Sequence, residues 1–414
     1  MDTAFFADVA ACHAPVPQKS PIMRHFHIPL YIAAFLLRLS NIDYAIAQSV
    51  TANKNPIQAA KLSVQVTAIP YDTSIKLKRY ARSFHVPAGD VFVENRLKIS
   101  RTPSGNLVAV SDSFVTFPSA MVQRGELNSL IFTEHLFLAL GYRIKSDSLL
   151  RFSNEIWRSS DDLKTVSTLT SVVLLPGAGK VDYGTNGEWA GLFCHRGILQ
   201  LRDGTLLAAV YGNFETDTII PSNPQSKLET KFMLRAFVIK SSDLGNTWEY
   251  MSSLAVPKPG QRDDSEGFNE WSMVELADGR IMAIVRTGHF TPPVICFSGN
   301  AGASWTEPVV NPELGPASCD PWLLKLSDGR IAISYGEMQQ PEGDRKAFFE
   351  NFKAGDHPRK CRMAISGTPA ADHWQTFDIT GFGNRSAYST LYEMAPGTLL
   401  YQAGPELYQI NLSR

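Results

Sequence analysis

Two octets in this chain carry the same residues at the same spacing, and a repeat of that kind restricts the fold more than any other feature of the sequence. Ser241-Ser242-Asp243-Leu244-Gly245-Asn246-Thr247-Trp248 is the fuller copy. Ser298-Gly299-Asn300-Ala301-Gly302-Ala303-Ser304-Trp305 differs at its fixed positions only by Asn for Asp and Ser for Thr. An eroded copy runs from Ser159 to Val166 without the Gly and the Trp, and a fourth, longer by one residue, spans Ser366 to Trp374. Recurrence at regular intervals marks a repeated supersecondary unit. The octet has the chemistry of a tight hairpin: Asp243 caps backbone N–H groups of its own turn, Gly245 supplies positive φ, and Trp248 has an apolar ring to bury between sheets.

A second repeat alternates with the first. Leu199-Gln200-Leu201-Arg202-Asp203-Gly204-Thr205-Leu206-Leu207, Val274 to Met282 and Leu324 to Ala332 each place Asp-Gly between apolar runs, with weaker relatives at Ser104-Gly105 and Pro396-Gly397. Asp-Gly between alternating apolar residues is the strongest local signal for a β-hairpin. Each unit therefore reads as an inner hairpin followed by an outer one, four strands in all. Five units are countable, and Leu62 to Ile75 begins or closes a sixth. The expected fold is all-β, a six-bladed β-propeller of four-stranded antiparallel blades.

The chain has 414 residues, a formal net charge of −1 and 19% charged residues. Such a balance provides no basic field for nucleic acid. At the N-terminus, Met23-Arg24-His25 precedes an apolar run from Ile28 to Leu39, and Ala45-Ile46-Ala47 before Gln48 fits a small-x-small cleavage site. Residues 1–47 are thus expected to be a leader, with Met23 as an alternative start, and the protein to be secreted or periplasmic. Arg38 interrupts a run already short for a bilayer, so no stable membrane span is expected. Residues 48–414 are assigned to the propeller, with 113–152 as an atypical insertion in which Leu127 to Leu140 shows a helical apolar pattern. Cys194, Cys296, Cys319 and Cys361 have no zinc-ligand spacing, and no metal or other cofactor is expected. Asn384-Arg385-Ser386 and Asn411-Leu412-Ser413 match glycosylation acceptors.

The octets, known as Asp-boxes, together with the Asp-Gly hairpins and the leader, resemble the sialidase (neuraminidase) superfamily from about Asn95 onward. The resemblance implies an exo-glycosidase that removes terminal sialic acid or a related carboxylated sugar, with acidic-sugar glycans as partners. It implies three arginines that clamp the carboxylate, for which planar guanidinium forks are suited. It also implies a tyrosine nucleophile with a glutamate as its base, since a carboxylate nucleophile would be repelled by the substrate's own charge, and an aspartate as acid.

By that resemblance, Gly267-Phe268-Asn269-Glu270-Trp271 followed by Ile284-Val285-Arg286 supplies the base Glu270 and a clamp arginine, Arg286. A hairpin returns its second strand to the level at which the first began, so the two would share one cavity. Tyr388, ahead of the last Asp-Gly-like hairpin, takes the place of the nucleophile. Arg359 or Arg362 takes that of another arginine, and Arg96 that of the first. Asp147 is the acid, with Asp112 and Asp320 as alternatives. His195 lies before an inner hairpin and is a further cavity candidate, and Trp189, Trp271 and Trp322 are candidates to stack on a sugar or to pack between blades. A non-catalytic propeller that binds glycans or proteins is the alternative function.

Overall fold

The computed structural model describes residues 62–413 except 79–80, 82, 87, 95, 113–128, 134–135, 141–142, 147–150, 162, 178–191, 221–231, 260–266, 344–356 and 386. The leader, Trp189 and Asp147 lie outside the described residues.

The strands run in chain order as short antiparallel meanders. β1 is Ser63–Ala68; β2 to β5 are Ser83–His85, Val91–Val93, Leu97–Arg101 and Leu107–Ser111; β6 to β10 are Ser129–Phe132, Phe137–Leu140, Arg143–Ser146, Arg151–Ser159 and Ser167–Leu174. β11 to β14 are Leu192–Gln200, Leu206–Gly212, Arg235–Ser241 and Thr247–Ala255. β15 to β18 are Trp271–Glu275, Ile281–Val285, Val294–Ser298 and Val309–Val310, and β19 to β22 are Cys319–Lys325, Ile331–Met338, Arg359–Ile365 and Gln375–Asp378. β23 to β25 are Ser389–Ala395, Thr398–Ala403 and Glu406–Ser413.

The fold is all-β among the described residues, apart from one 3₁₀ turn at Pro312–Leu314. No helix there is long and apolar enough to cross a membrane. Four sheets have four strands: β2-β3-β4-β5, β15-β16-β17-β18, β19-β20-β21-β22, and β1-β25-β24-β23, in which β1 pairs with β25 from the far end of the chain. The fifth has nine strands, so five sheets replace the six separate blades expected. The cause is β8, which pairs with both β9 and β11, together with the parallel pairing of Val172–Leu174 with Thr247–Glu249.

The Asp-Gly turns behave as the residue types dictate. Asp278 Oδ1 accepts from the Arg280 N–H at 3.0 Å and Asp328 Oδ1 from the Arg330 N–H at 3.1 Å, and each arginine returns a side-chain bond to the same carboxylate. Ser104-Gly105 differs from the expected pattern. It joins β4 to β5, and β5 is an outer strand, since the Leu107 N–H bonds Gln409 of β25 at 2.7 Å. The inner hairpin of that sheet is β2–β3, where Ser83 bonds Tyr392 at 3.2 Å and Gln402 at 3.0 Å.

The octets are outer turns. In the fuller copy the Gly245 N–H reaches Ser241 Oγ at 2.9 Å, and Asp243 Oδ1 accepts from Ser241 Oγ and the Thr247 N–H, each at 2.8 Å. The eroded copy reproduces the scheme: Leu163 N–H to Ser159 Oγ at 3.0 Å and Thr165 N–H to Asp161 Oδ1 at 3.0 Å. Leu163 replaces the glycine and still adopts φ 60°, held by a fully buried side chain. Trp248 is fully buried with its Nε1–H on Gly245 O at 3.1 Å.

Within the span from Leu127 to Leu140 the described residues form strands, not a helix: β6 and β7 pair in register from Ser129↔Leu140 to Phe132↔Phe137. Thr133 cuts the run by bonding Leu136 through its backbone and side chain. Phe137 to Leu140 are buried on both faces, which removes the alternation that distinguishes a strand.

Six apolar clusters lie between successive meanders among the described residues. Phe84, Phe92, Phe137 and Trp157 join β2–β3 to β7 and β9, and Leu138, Ile156, Val210 and Trp248 join the two halves of the nine-stranded sheet. Trp271 stands between β11–β14 and β15–β18, Tyr335 between the next two sheets, and Tyr401 between β19–β22 and the last. Tyr392 and Leu400 pack back onto Val91 and Leu97. First strands follow one another, β11 beside β15, β15 beside β19 and β19 beside β23. The arrangement is propeller-like.

Candidate active site

At the start of β15 the hairpin ladder continues one step outward. The Arg286 N–H bonds Glu270 O at 3.1 Å and the Asn269 N–H bonds Arg286 O at 3.2 Å, which sets Glu270 opposite Arg286. Their side chains lie 3.9 Å apart, Arg286 Nε to Glu270 Oε2, and both are nearly buried. Arg286 also lies against His289, with Nη2 3.1 Å from the ring Nδ1.

Tyr388 immediately precedes β23 and approaches the same carboxylate: its hydroxyl donates to Glu270 Oε1. The other oxygen, Oε2, accepts the Asp320 backbone N–H at 2.8 Å. Glu270 is thus held at both oxygens, by groups from two other strands. Burial, and after it the Glu270 carboxylate, push the Tyr388 phenol well above its ordinary value, while Arg359 acts in the opposite direction. The resting phenol is therefore protonated at neutral pH, and Glu270 is placed to take that proton.

Arg359 opens β21, buried, with its field on Tyr388 and Cys319. Arg362, the other candidate, is held elsewhere by Glu337 and Asp378, each at 3.0 Å. The site therefore gathers Glu270, Tyr388, Arg286 and Arg359. Arg96 is not among them: it is exposed and bonds Lys76 O at 2.9 Å. The reason is the shifted hairpin noted above, since Arg96 lies between β3 and β4 and not at the head of the innermost strand. Asp112 is also distant, paired with Lys98 at 3.0 Å beside Arg96 in an open surface depression of about 630 Å³.

Asp320 does reach the centre, but it is fully buried between His195 Nε2, at 3.1 Å, and the Arg196 guanidinium. A carboxylate so enclosed has no path to a leaving group. Arg196 was visible in the sequence only as the neighbour of His195, and its pairing with Asp320 spans too much chain to be read from spacing. Trp271 and Trp322 pack instead of offering a sugar face: their Nε1–H groups bond Val210 O at 3.0 Å and Leu391 O at 3.2 Å. Among the described residues no three His, Cys, Asp or Glu side chains gather as a metal would require.

No protein-family model matches the sequence, and no curated protein matches it. Among solved structures, the chain is similar to a protein of unknown function from Dyadobacter fermentans, with 15% identity and a TM-score of 0.51, over 84% of this chain and 99% of that one. That likeness shows a shared fold. It is also similar to a Hadza microbial sialidase (15% identity, TM-score 0.47, 81% of this chain and 65% of that one). An α-L-arabinofuranosidase from Fusarium graminearum follows (16% identity, TM-score 0.45, 68% of this chain and 76% of that one).

Proposed function

We propose that this protein is a glycoside hydrolase of the sialidase type, which removes a terminal carboxylated sugar with retention through a tyrosyl intermediate. The observation that carries the reading is the hydrogen bond from the Tyr388 hydroxyl to Glu270, beside two buried guanidinium groups, Arg286 and Arg359. In this reading Arg286 and Arg359 bind the sugar carboxylate through paired N–H donors. The Tyr388 oxygen then forms a bond to the anomeric carbon as its proton passes to Glu270, and the glycosidic C–O bond breaks. A proton from the general acid, assigned to Asp147, neutralises the departing oxygen. Water, activated by that same group, next attacks the anomeric carbon and cleaves the aryl glycosidic C–O bond to Tyr388, which recovers its proton from Glu270. A phenol whose pKa is raised by burial suits this order, because phenolate forms only as the new bond does.

The same reading takes 48–414 as one six-bladed propeller, in which the nine-stranded sheet is two blades, β6-β7-β9-β10 and β11 to β14, bridged by β8. The closed cycle of six apolar clusters supports that count. Export to the periplasm or medium, and acidic-sugar glycans as the natural ligands, complete the proposal.

Turnover of a fluorogenic sialoside by the wild type and by Tyr388→Phe tests it. The variant should keep its melting temperature and lose on the order of 10³-fold or more in kcat. Unchanged turnover in Tyr388→Phe rejects the mechanism. The position of Arg96 away from the clamp favours a second reading, a non-catalytic glycan-binding propeller. That reading requires that the wild type bind sialosides without cleaving any of them.

A further inference from the structure

Behind the Glu270–Tyr388 pair lies a second group of charged residues that the proposed reaction does not use. Arg196 and His195 are adjacent in β11, where regular alternation would send them to opposite faces. A bulge between His195 and Ile198, with Gly197 at φ 95°, turns both toward Asp320 of β19. His195 also faces Trp271 O of β15 at 3.4 Å, and Arg196 donates to Ser389 O of β23, one residue beyond Tyr388. The Arg196 guanidinium lies over the Trp322 ring, 5.6 Å from its centre. One buried cluster therefore ties four successive innermost strands together.

The two backbone positions it holds are strained. Asp320 has φ 49°, a rare conformation for a residue with a side chain, and it is this turned peptide that points its N–H at Glu270 Oε2. Ala387, just before Tyr388, has φ 53°, and its carbonyl accepts from Cys319 Sγ at 3.4 Å. A Cβ on Gly336 would stand 2.7 Å from Ala387 Cβ and 2.3 Å from Cys319 Sγ, so no other residue fits there without displacing this backbone. Strain of this kind persists only where surrounding contacts over-determine it.

We propose that Arg196 and Asp320, with His195, are positioning residues that fix Glu270 against Tyr388: Asp320 through the N–H it presents to Glu270, Arg196 through the carbonyl next to Tyr388. The assignment rests on reading Glu270 and Tyr388 as base and nucleophile. Arg196 acts at both ends of the pair, so its loss frees both at once, whereas Arg362 joins Glu337 of β20 to Asp378 of β22 and meets neither Glu270 nor Tyr388 in these bonds.

The test compares Arg196→Met, Arg196→Lys and Asp320→Asn with Arg362→Met, which also removes a partly buried ion pair. Three readouts are taken on the full chain: melting temperature, kcat and KM for a fluorogenic sialoside, and the NMR resonance of the Tyr388 hydroxyl proton, assigned by its absence in Tyr388→Phe. Arg196→Met and Asp320→Asn should lower kcat about 100-fold with KM changed less than about threefold, as expected when transition-state geometry is lost. Both should shift or broaden the hydroxyl resonance, and Arg196→Lys should recover part of each effect. Arg362→Met should lower the melting temperature alone. If the Arg196 and Asp320 variants lose only thermal stability, with kcat and the resonance unmoved, the cluster is a structural brace and the proposal fails. Should Arg196→Met not fold, Arg196→Lys carries the same readouts. If no form of the protein cleaves a sialoside, the catalytic reading fails, and the resonance still decides whether the cluster positions the pair.

Discussion

The octet turns at the outer strands and the charged centre at the innermost ones are held together by opposite means. At Ser241 to Trp248 the bonds that shape the turn span four residues or fewer: Asp243 holds the Thr247 N–H and Ser241 holds the Gly245 N–H. At the centre, Tyr388 meets Glu270 across 118 residues and Arg196 meets Ser389 across 193. Outer turns are satisfied by themselves and tolerate erosion, as the copy from Ser159 to Val166 shows. The centre is assembled mainly across distant strands, so the meeting of Tyr388, Glu270, Arg196 and Asp320 depends on the placement of whole sheets. Scaffold and chemistry are therefore separable by mutation.

Tyr388→Phe, with the largest expected effect, should abolish turnover and leave stability almost unchanged. Trp248→Ala should do the reverse: about 3–5 kcal/mol less stable by denaturant unfolding, as for a fully buried aromatic, with kcat of the folded fraction unaltered. Equal effects of the two on both quantities would erase the distinction drawn here.

Acid and alkali should attack the two regions differently. Burial pushes the thiols of Cys194, Cys296 and Cys361 up to about 12 and that of Cys319 to about 11. A proton held more tightly in the folded state stabilises below the unfolded value and is lost as pH rises through the folded one. Stability should then fall from about pH 9 toward pH 12, starting between the sheets, and thiol reagents should label these cysteines only after unfolding. Asp161 is lowered to about 2, chiefly by the Thr165 N–H and hydroxyl. Its contribution is present above the ordinary carboxylate value of about 4 and fades as pH falls toward 2. Thermal melts across both ranges, with amide exchange to locate the first opening, check the assignment. Asp243→Ala has the smallest expected effect: about 1 kcal/mol for the lost turn bonds, seen as a small drop in melting temperature with unchanged kcat.

The octets and three Asp-Gly hairpins were legible because the bonding that shapes their turns is local, and their register, with the family resemblance, pointed to Glu270, Arg286 and Tyr388, while Arg359 and Arg362 were left as alternatives. Register failed where the sequence signal was displaced. Ser104-Gly105 is the better-looking turn, but the inner hairpin of its sheet lies at Val86 to Val91, and counting from the wrong turn led to Arg96. Arg79 and Arg82 precede the true inner strand and lie outside the described residues. The strand Phe137–Leu140 was misread because burial on both faces erases its period. Asp320 was named from its place ahead of an inner hairpin, but its left-handed backbone and its enclosure by His195 and Arg196 were not legible, and Arg196 was beyond spacing arguments because a bulge sets its direction. The union of β6–β10 with β11–β14 into one sheet rests on β8, a strand with no counterpart in the repeat, and on the parallel pairing of β10 with β14.

The pairing of β1 with β25 has a consequence in time. Val64 must wait for Leu412, and Val66 for Ile410, before either finds its ladder partner. During synthesis the meanders form one after another as they emerge, yet the ring stays open, with a naked edge at β24, until nearly the whole chain is available. Contacts of such long range make closure slow. The last ladder to form is then the one that joins β25 to β24 and to β1, the strand three places from the innermost strand of its sheet.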